Sequence, residues 1–145
     1  KFKDTPLLIK ASFKYGKALF IKIRDNRFSD LGYMDLDGTE HPIRPAKPLT
    51  KYQIDEIDLY MVSEDTFVIT TYGLSSFVEL WNLKGEVLFS GARDIRLINE
   101  QYLQIANKDC EYGVIDAKGN IIFPAQYRDI EVIEETNGIY KKNEM

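Results

Sequence analysis

Carboxylates are the most abundant groups in this chain that could do chemistry: 23 Asp and Glu stand against 19 Lys and Arg, with one histidine and one cysteine. The stretch Asp35-Leu36-Asp37-Gly38 has the oxygen-rich opening of a calcium loop, since hard cations take clustered oxygen ligands. No acidic ligand follows at loop spacing, and the places matching Asp37 in two similar stretches hold Lys84 and Lys118, so the segment reads as a turn. His41 has no Cys or His companions for a zinc set and reads as a surface residue beside Pro42. Any Ser/His/Asp or Cys/His triad would have to run through it. Cys110 lies between Asp109 and Glu111, without the cationic surroundings that activate a thiolate, and reads as inert. No Gly-x-Ser-x-Gly elbow occurs. The 21 acids after residue 26 offer many pairs for glycoside chemistry, at separations that sequence does not fix. The expectation is a protein without catalytic residues, metal or cofactor.

Surfaces are the remaining candidates. Trp81, with Tyr15, Tyr52, Tyr72 and Tyr140, supplies amphipathic rings that either anchor a peptide or sugar or fill a core. Arg44, Lys47 and Lys51 give positive charge to the proline-rich stretch Arg44–Lys51, read as a rim loop against an acidic body. Unpaired sheet edges are a third candidate, because they can accept a partner strand.

Charge is unevenly placed: residues 1–26 carry seven Lys or Arg against two acids, and residues 27–145 carry twelve against twenty-one. An acidic body argues against nucleic acid, whose binding rests on neutralised phosphates. No apolar run reaches the roughly 18 residues that span a bilayer, so a soluble domain without membrane insertion is expected. The chain opens at Lys1 without Met or signal-peptide pattern, which suggests a processed or excised segment and leaves its compartment, cytoplasmic or exported, open. With one cysteine there is no internal disulfide, so the core and the ladders must hold the fold.

What positions these residues is a repeat. Gly38, Gly85 and Gly119 are each preceded, three residues earlier, by Asp35, Asn82 and Asp116. The short polar side chain accepts a backbone hydrogen bond and the glycine adopts a left-handed conformation, which is hairpin chemistry. Apolar pairs flank each turn, and an acid before isoleucine recurs at Ile57, Ile95 and Ile130. A further strand then follows: KALFIKIR as the tail of a partial unit, then TFVITTYG, QYLQIANK and GIYKKN. The turn glycines stand 47 and 34 residues apart, the first interval enlarged in part by the proline-rich insertion. Nine Tyr and eight Phe favour strand over helix. Units this small cannot bury their own apolar face and must stack.

The last unit, EYGVIDAKGNIIFPAQYRDI, resembles the bacterial WG repeat. Tyr112 takes the tryptophan place, and Gly113, Asp116, Gly119, Pro124, Tyr127 and Ile130 match the pattern. The first unit keeps Gly32, Asp35 and Gly38 with Leu31 at the tryptophan place, while the second has Val78 and Glu79 before Asn82 and Gly85. The resemblance covers roughly residues 31–143 and implies a bacterial β-repeat protein of a family mostly without a defined activity.

The sequence thus predicts an all-β domain of tandem antiparallel meanders, stacked or in a partly closed propeller-like array. Its parts are a partial unit at 1–30 and units at 31–74, 75–108 and 109–145. The expected function is a non-enzymatic interaction or scaffold module with a protein partner. The rivals are a carbohydrate-binding or glycan-hydrolysing cell-envelope domain that uses aromatic rings and paired carboxylates, and an inhibitor recognised through its acidic face.

Overall fold

The repeat units 31–74 and 75–108 are each divided between two neighbouring sheets, while the strands of 109–145 all lie in the third. The structure, a computed structural model, describes residues 7–24, 27–45, 56–74, 76–133 and 138–144, with side-chain burial for 7–23, 30–45, 56–74 and 76–128. All regular structure among the described residues is strand, and no helix occurs there that could cross a membrane.

The first sheet is an antiparallel meander of β1 (Leu7–Lys14), β2 (Lys17–Arg24), β3 (Arg27–Asp35) and β4 (Glu40–Ile43). The second repeats this order with β5 (Glu56–Met61), β6 (Thr66–Tyr72), β7 (Phe77–Asn82) and β8 (Val87–Ala92). The third runs β9 (Asp94–Leu97), β10 (Tyr102–Ala106), β11 (Tyr112–Asp116), β12 (Ile121–Ile133) and β13 (Gly138–Glu144). In every sheet the Asx-x-x-Gly turn joins the third strand to the fourth. The sequence units therefore start on third strands and lie two strands out of phase with the sheets. The unit boundary expected between residues 74 and 75 falls between β6, which ends at Tyr72, and β7, which starts at Phe77, inside the second sheet.

The turns themselves coincide closely. The glycine N–H donates to the carbonyl of Asp35, Asn82 and Asp116 at 3.0, 2.9 and 3.1 Å. The Asx N–H donates to the carbonyls of Thr39, Glu86 and Asn120 at 2.9, 3.0 and 2.9 Å. Glycine φ is 89, 88 and 92°, the left-handed region that a Cβ disfavours.

Two cores separate the sheets. Leu19, Ile21, Leu31 and Ile43 of the first sheet meet Ile57, Leu59, Met61, Phe67, Ile69 and Trp81 of the second. On its other face the second sheet, with Val62, Val68 and Leu80, meets Ile95, Leu103, Ile105, Ile115 and Ala117 of the third. Side chains alternate along a strand, so one with a core on both sides must be apolar throughout. That is why β6 runs Phe67-Val68-Ile69, all fully buried: Phe67 and Ile69 face one core and Val68 the other. Each such side chain contributes roughly 1.5–3 kcal/mol by leaving water.

The junctions repeat as well. A Cβ at Gly85 would lie 1.9 Å from the Arg44 carbonyl oxygen, just past β4, and one at Gly119 would lie 2.9 Å from that of Leu88 on β8. Each later turn thus nests on the preceding sheet. At the second junction the Thr66 hydroxyl also donates to the Ala117 carbonyl at 2.7 Å.

Candidate functional site

Trp81 is wholly buried, so of its two readings, surface anchor or core residue, the structure selects the core. Its ring stacks on Phe77 at 6.1 Å and meets Phe67 edge-on at 6.1 Å. Its Nε1 donates to the buried Glu79 carboxylate at 2.8 Å, so the polar tip is satisfied where no surface is left for a partner. Glu79 stands where Gly32 and Gly113 stand in the other sheets. At those glycines a Cβ would meet a fourth-strand carbonyl, that of His41 at 2.6 Å and that of Phe123 at 2.5 Å. The β7–β8 ladder shifts register between Val78 and Leu80, and Gly91 takes a φ of 85°.

Arg44 is exposed, and its backbone forms the seat for Gly85. Lys47, Lys51 and Tyr52 lie outside the described residues, as does the side chain of Tyr140. Tyr15 occupies the tight β1–β2 turn with φ 56°, followed by Gly16 at 75°.

The Asp35–Gly38 turn uses its carboxylates internally. Asp37 Oδ1 accepts the Thr39 N–H at 3.0 Å, a bond that holds the Asp37 carboxyl below its ordinary pKa. Asp35 Oδ2 pairs with His41 Nε2 at 2.5 Å, and the imidazole stacks on Tyr33 at 4.7 Å. His41 is therefore part of a Tyr33–His41–Asp35 group on neighbouring strands, at the surface with its side chain 37% exposed.

Cys110 also differs from its expected surroundings: the Arg93 guanidinium, 17 residues away in the chain, donates to its Sγ at 2.7 Å. Its backbone, at φ 60°, closes a fourth turn of the same type. The Cys110 N–H donates to the Asn107 carbonyl at 3.1 Å, and Asn107 Oδ1 accepts from Asp109 and Glu111. A search for glycine misses this turn, although Asn107 four residues before Glu111 matches Asn82 before Glu86.

An open cleft of about 680 Å³ lies where the second sheet gives way to the third. Tyr72, Thr70 and Phe77 come from the second sheet, and Asp94, Arg96, Gln104 and Tyr112 from the third. On β9, the intervening Ile95 is buried and its carbonyl accepts the Tyr60 hydroxyl at 2.8 Å, which fixes the strand and turns Asp94 and Arg96 to the cleft side. Arg96 Nε donates to Asp94 Oδ2 at 2.6 Å. Burial, with Asp94 second, pushes the Tyr60 phenol up to about 12. Partial desolvation, then the nearby Asp58 carboxylate, raise the Tyr72 phenol, with Glu56 and Asp94 adding to the effect.

A second candidate is the edge of the first sheet. Among the described residues β1 pairs only with β2, and it leaves Leu8, Ile9 and Phe13 exposed at 46, 49 and 49%. No family model, curated protein or solved structure matches this chain.

Proposed function

We propose that this protein is a non-enzymatic interaction module, a degenerate relative of the bacterial WG repeats, which binds a protein partner along β1. One observation carries the reading: three large apolar side chains on a single edge strand are about half exposed, more than on any other strand among the described residues. Apolar clusters on unpaired edges are avoided in solitary proteins and used in strand addition. Lys10, Lys14 and Lys17 surround the patch, so the partner segment is apolar with acidic flanks. The ladder irregularities after Ile9 confine regular strand addition to Leu7–Ile9.

The relation to WG repeats is supported by the three superposable turns and by the close strand approach at Gly32 and Gly113, where the repeat pattern has its glycine. Nesting of each later turn on the sheet before it supports a propeller-like progression.

A photo-crosslinking side chain placed at Phe13, and at the exposed Glu64 as control, tests the reading in the source cells. A discrete protein adduct from position 13 that disappears when Leu8 and Ile9 are both changed to Lys is the expected result. Equal adducts from both positions, or adducts indifferent to the lysines, would refute it.

A further inference from the structure

We infer that the cleft between the second and third sheets is a binding site for a neutral oligosaccharide. The inference is independent of the β1 reading.

The volume, about 680 Å³, lies within the range of small-ligand sites. Its chemistry selects among ligands. Both arginines of the cleft are engaged, Arg96 by Asp94 at 2.6 Å and Arg93 by Cys110 Sγ at 2.7 Å, and Glu56 and Asp58 stand close enough to Tyr72 to act on its phenol. The thiol leaves the Arg93 charge in place, but Asp94, Asp58 and Glu56 outnumber the two arginines, so these groups carry no net positive charge to draw in a phosphate or carboxylate. Nor is there a closed apolar cavity for a lipid, since the strand faces here carry Thr70, Asp94, Arg96 and Gln104.

What the cleft does offer is a phenol ring and fixed planar polar groups. Tyr72 is 48% exposed, and a ring face carries partial negative charge that attracts the polarised C–H groups on the flat side of a pyranose. Among the described residues the Gln104 amide makes no side-chain hydrogen bond, so both its donor and its acceptor remain for ligand hydroxyls. Asp94 holds Arg96 through Oδ2 and Nε, leaving Oδ1 and the terminal guanidinium nitrogens as an adjacent acceptor and donor. A sugar hydroxyl both gives and takes a hydrogen bond, and such a fixed pair matches it. Because Ile95 is buried and tied to Tyr60, the pair is positioned before any ligand arrives, which reduces the ordering cost of binding.

Titration of the whole chain with maltotriose, cellotriose, chitotriose and the charged trigalacturonate, followed by backbone amide NMR shifts, tests the inference. One or more neutral trisaccharides should bind with millimolar or tighter affinity and shift Asp94, Gln104 and Tyr72. Tyr72→Ala should weaken binding about tenfold. Asp94→Asn should weaken it less, and Leu74→Ala, at an exposed position outside the lining, should leave it unchanged. Absence of binding by all three neutral sugars at 10 mM would overturn the inference. So would binding of trigalacturonate alone, or binding that survives both Tyr72→Ala and Asp94→Asn at full strength.

Discussion

Replacing each turn glycine by alanine separates the cost of backbone conformation from the cost of the junction. The three φ values are 89, 88 and 92°, so the conformational penalty is common to all, about 1–2 kcal/mol less the few tenths that alanine recovers by restricting the unfolded chain. Surroundings then decide the order. A Cβ at Gly38 meets nothing within 4 Å, so Gly38→Ala should cost only that common term. At Gly119 it meets Leu88 at 2.9 and 3.0 Å, where a shift of a few tenths of an ångström suffices, bringing the total to about 2–3 kcal/mol. At Gly85 it would sit 1.9 Å from the Arg44 carbonyl oxygen and 2.6 Å from the carbonyl carbon. Backbone cannot rotate aside, so the first and second sheets must separate locally and the total should reach about 3–5 kcal/mol, a large part of the roughly 5–15 kcal/mol that holds a domain together. Urea unfolding followed by Trp81 emission measures all three. A Gly38→Ala loss equal to or above that of Gly85→Ala would refute the nested junction.

Three further predictions rest on single groups. The Tyr60 phenol ionises at about 12 in the fold against 10.0 unperturbed, so its contribution is complete below pH 10 and is lost as pH rises from 10 to 12. Tyr60→Phe should remove that alkaline limb and, by taking the hydrogen bond from the Ile95 carbonyl, cost about 1–2 kcal/mol at neutral pH, both read from melting curves against pH. Cys110→Gly should stabilise by about 0.5–1 kcal/mol, because φ 60° suits glycine better than any residue with a Cβ, and thermal unfolding reads the gain. Trp81→Phe should cost about 2–4 kcal/mol through the vacated core volume and the donor withdrawn from Glu79, and native Trp81 emission should be blue-shifted and poorly quenched by acrylamide.

Local chemistry was the legible part of this sequence. Asp35, Asn82 and Asp116 with their glycines carry the turn geometry within four residues, and nothing distant is needed to read it. Apolar runs such as Phe67-Val68-Ile69 marked strands, yet which face met which core depended on the neighbouring sheets. Trp81 shows the limit: its type suits both a surface anchor and a core, and only the stacking of Phe77 and the carboxylate of Glu79 decide. The phase between sequence units and sheets was illegible for a related reason, since equivalent residues recur at every strand and the pairing partner alone tells where a sheet begins. The cleft joins Tyr72 to Asp94, Gln104 and Tyr112, up to 40 residues apart, through the packing of two sheets. Arg93 beside Cys110 and His41 on Tyr33 are likewise products of pairing that no spacing announces.

The central claim is that three equivalent sheets share two cores, with the second sheet enclosed on both faces. Native-state hydrogen exchange measures this most directly. The amides of Phe67 to Thr71 on β6 should exchange slowest of all, at the rate set by global unfolding, and those of β1 much faster. Exchange on β6 as fast as on β1, or a first or third sheet more protected than the second, would contradict the stacked arrangement.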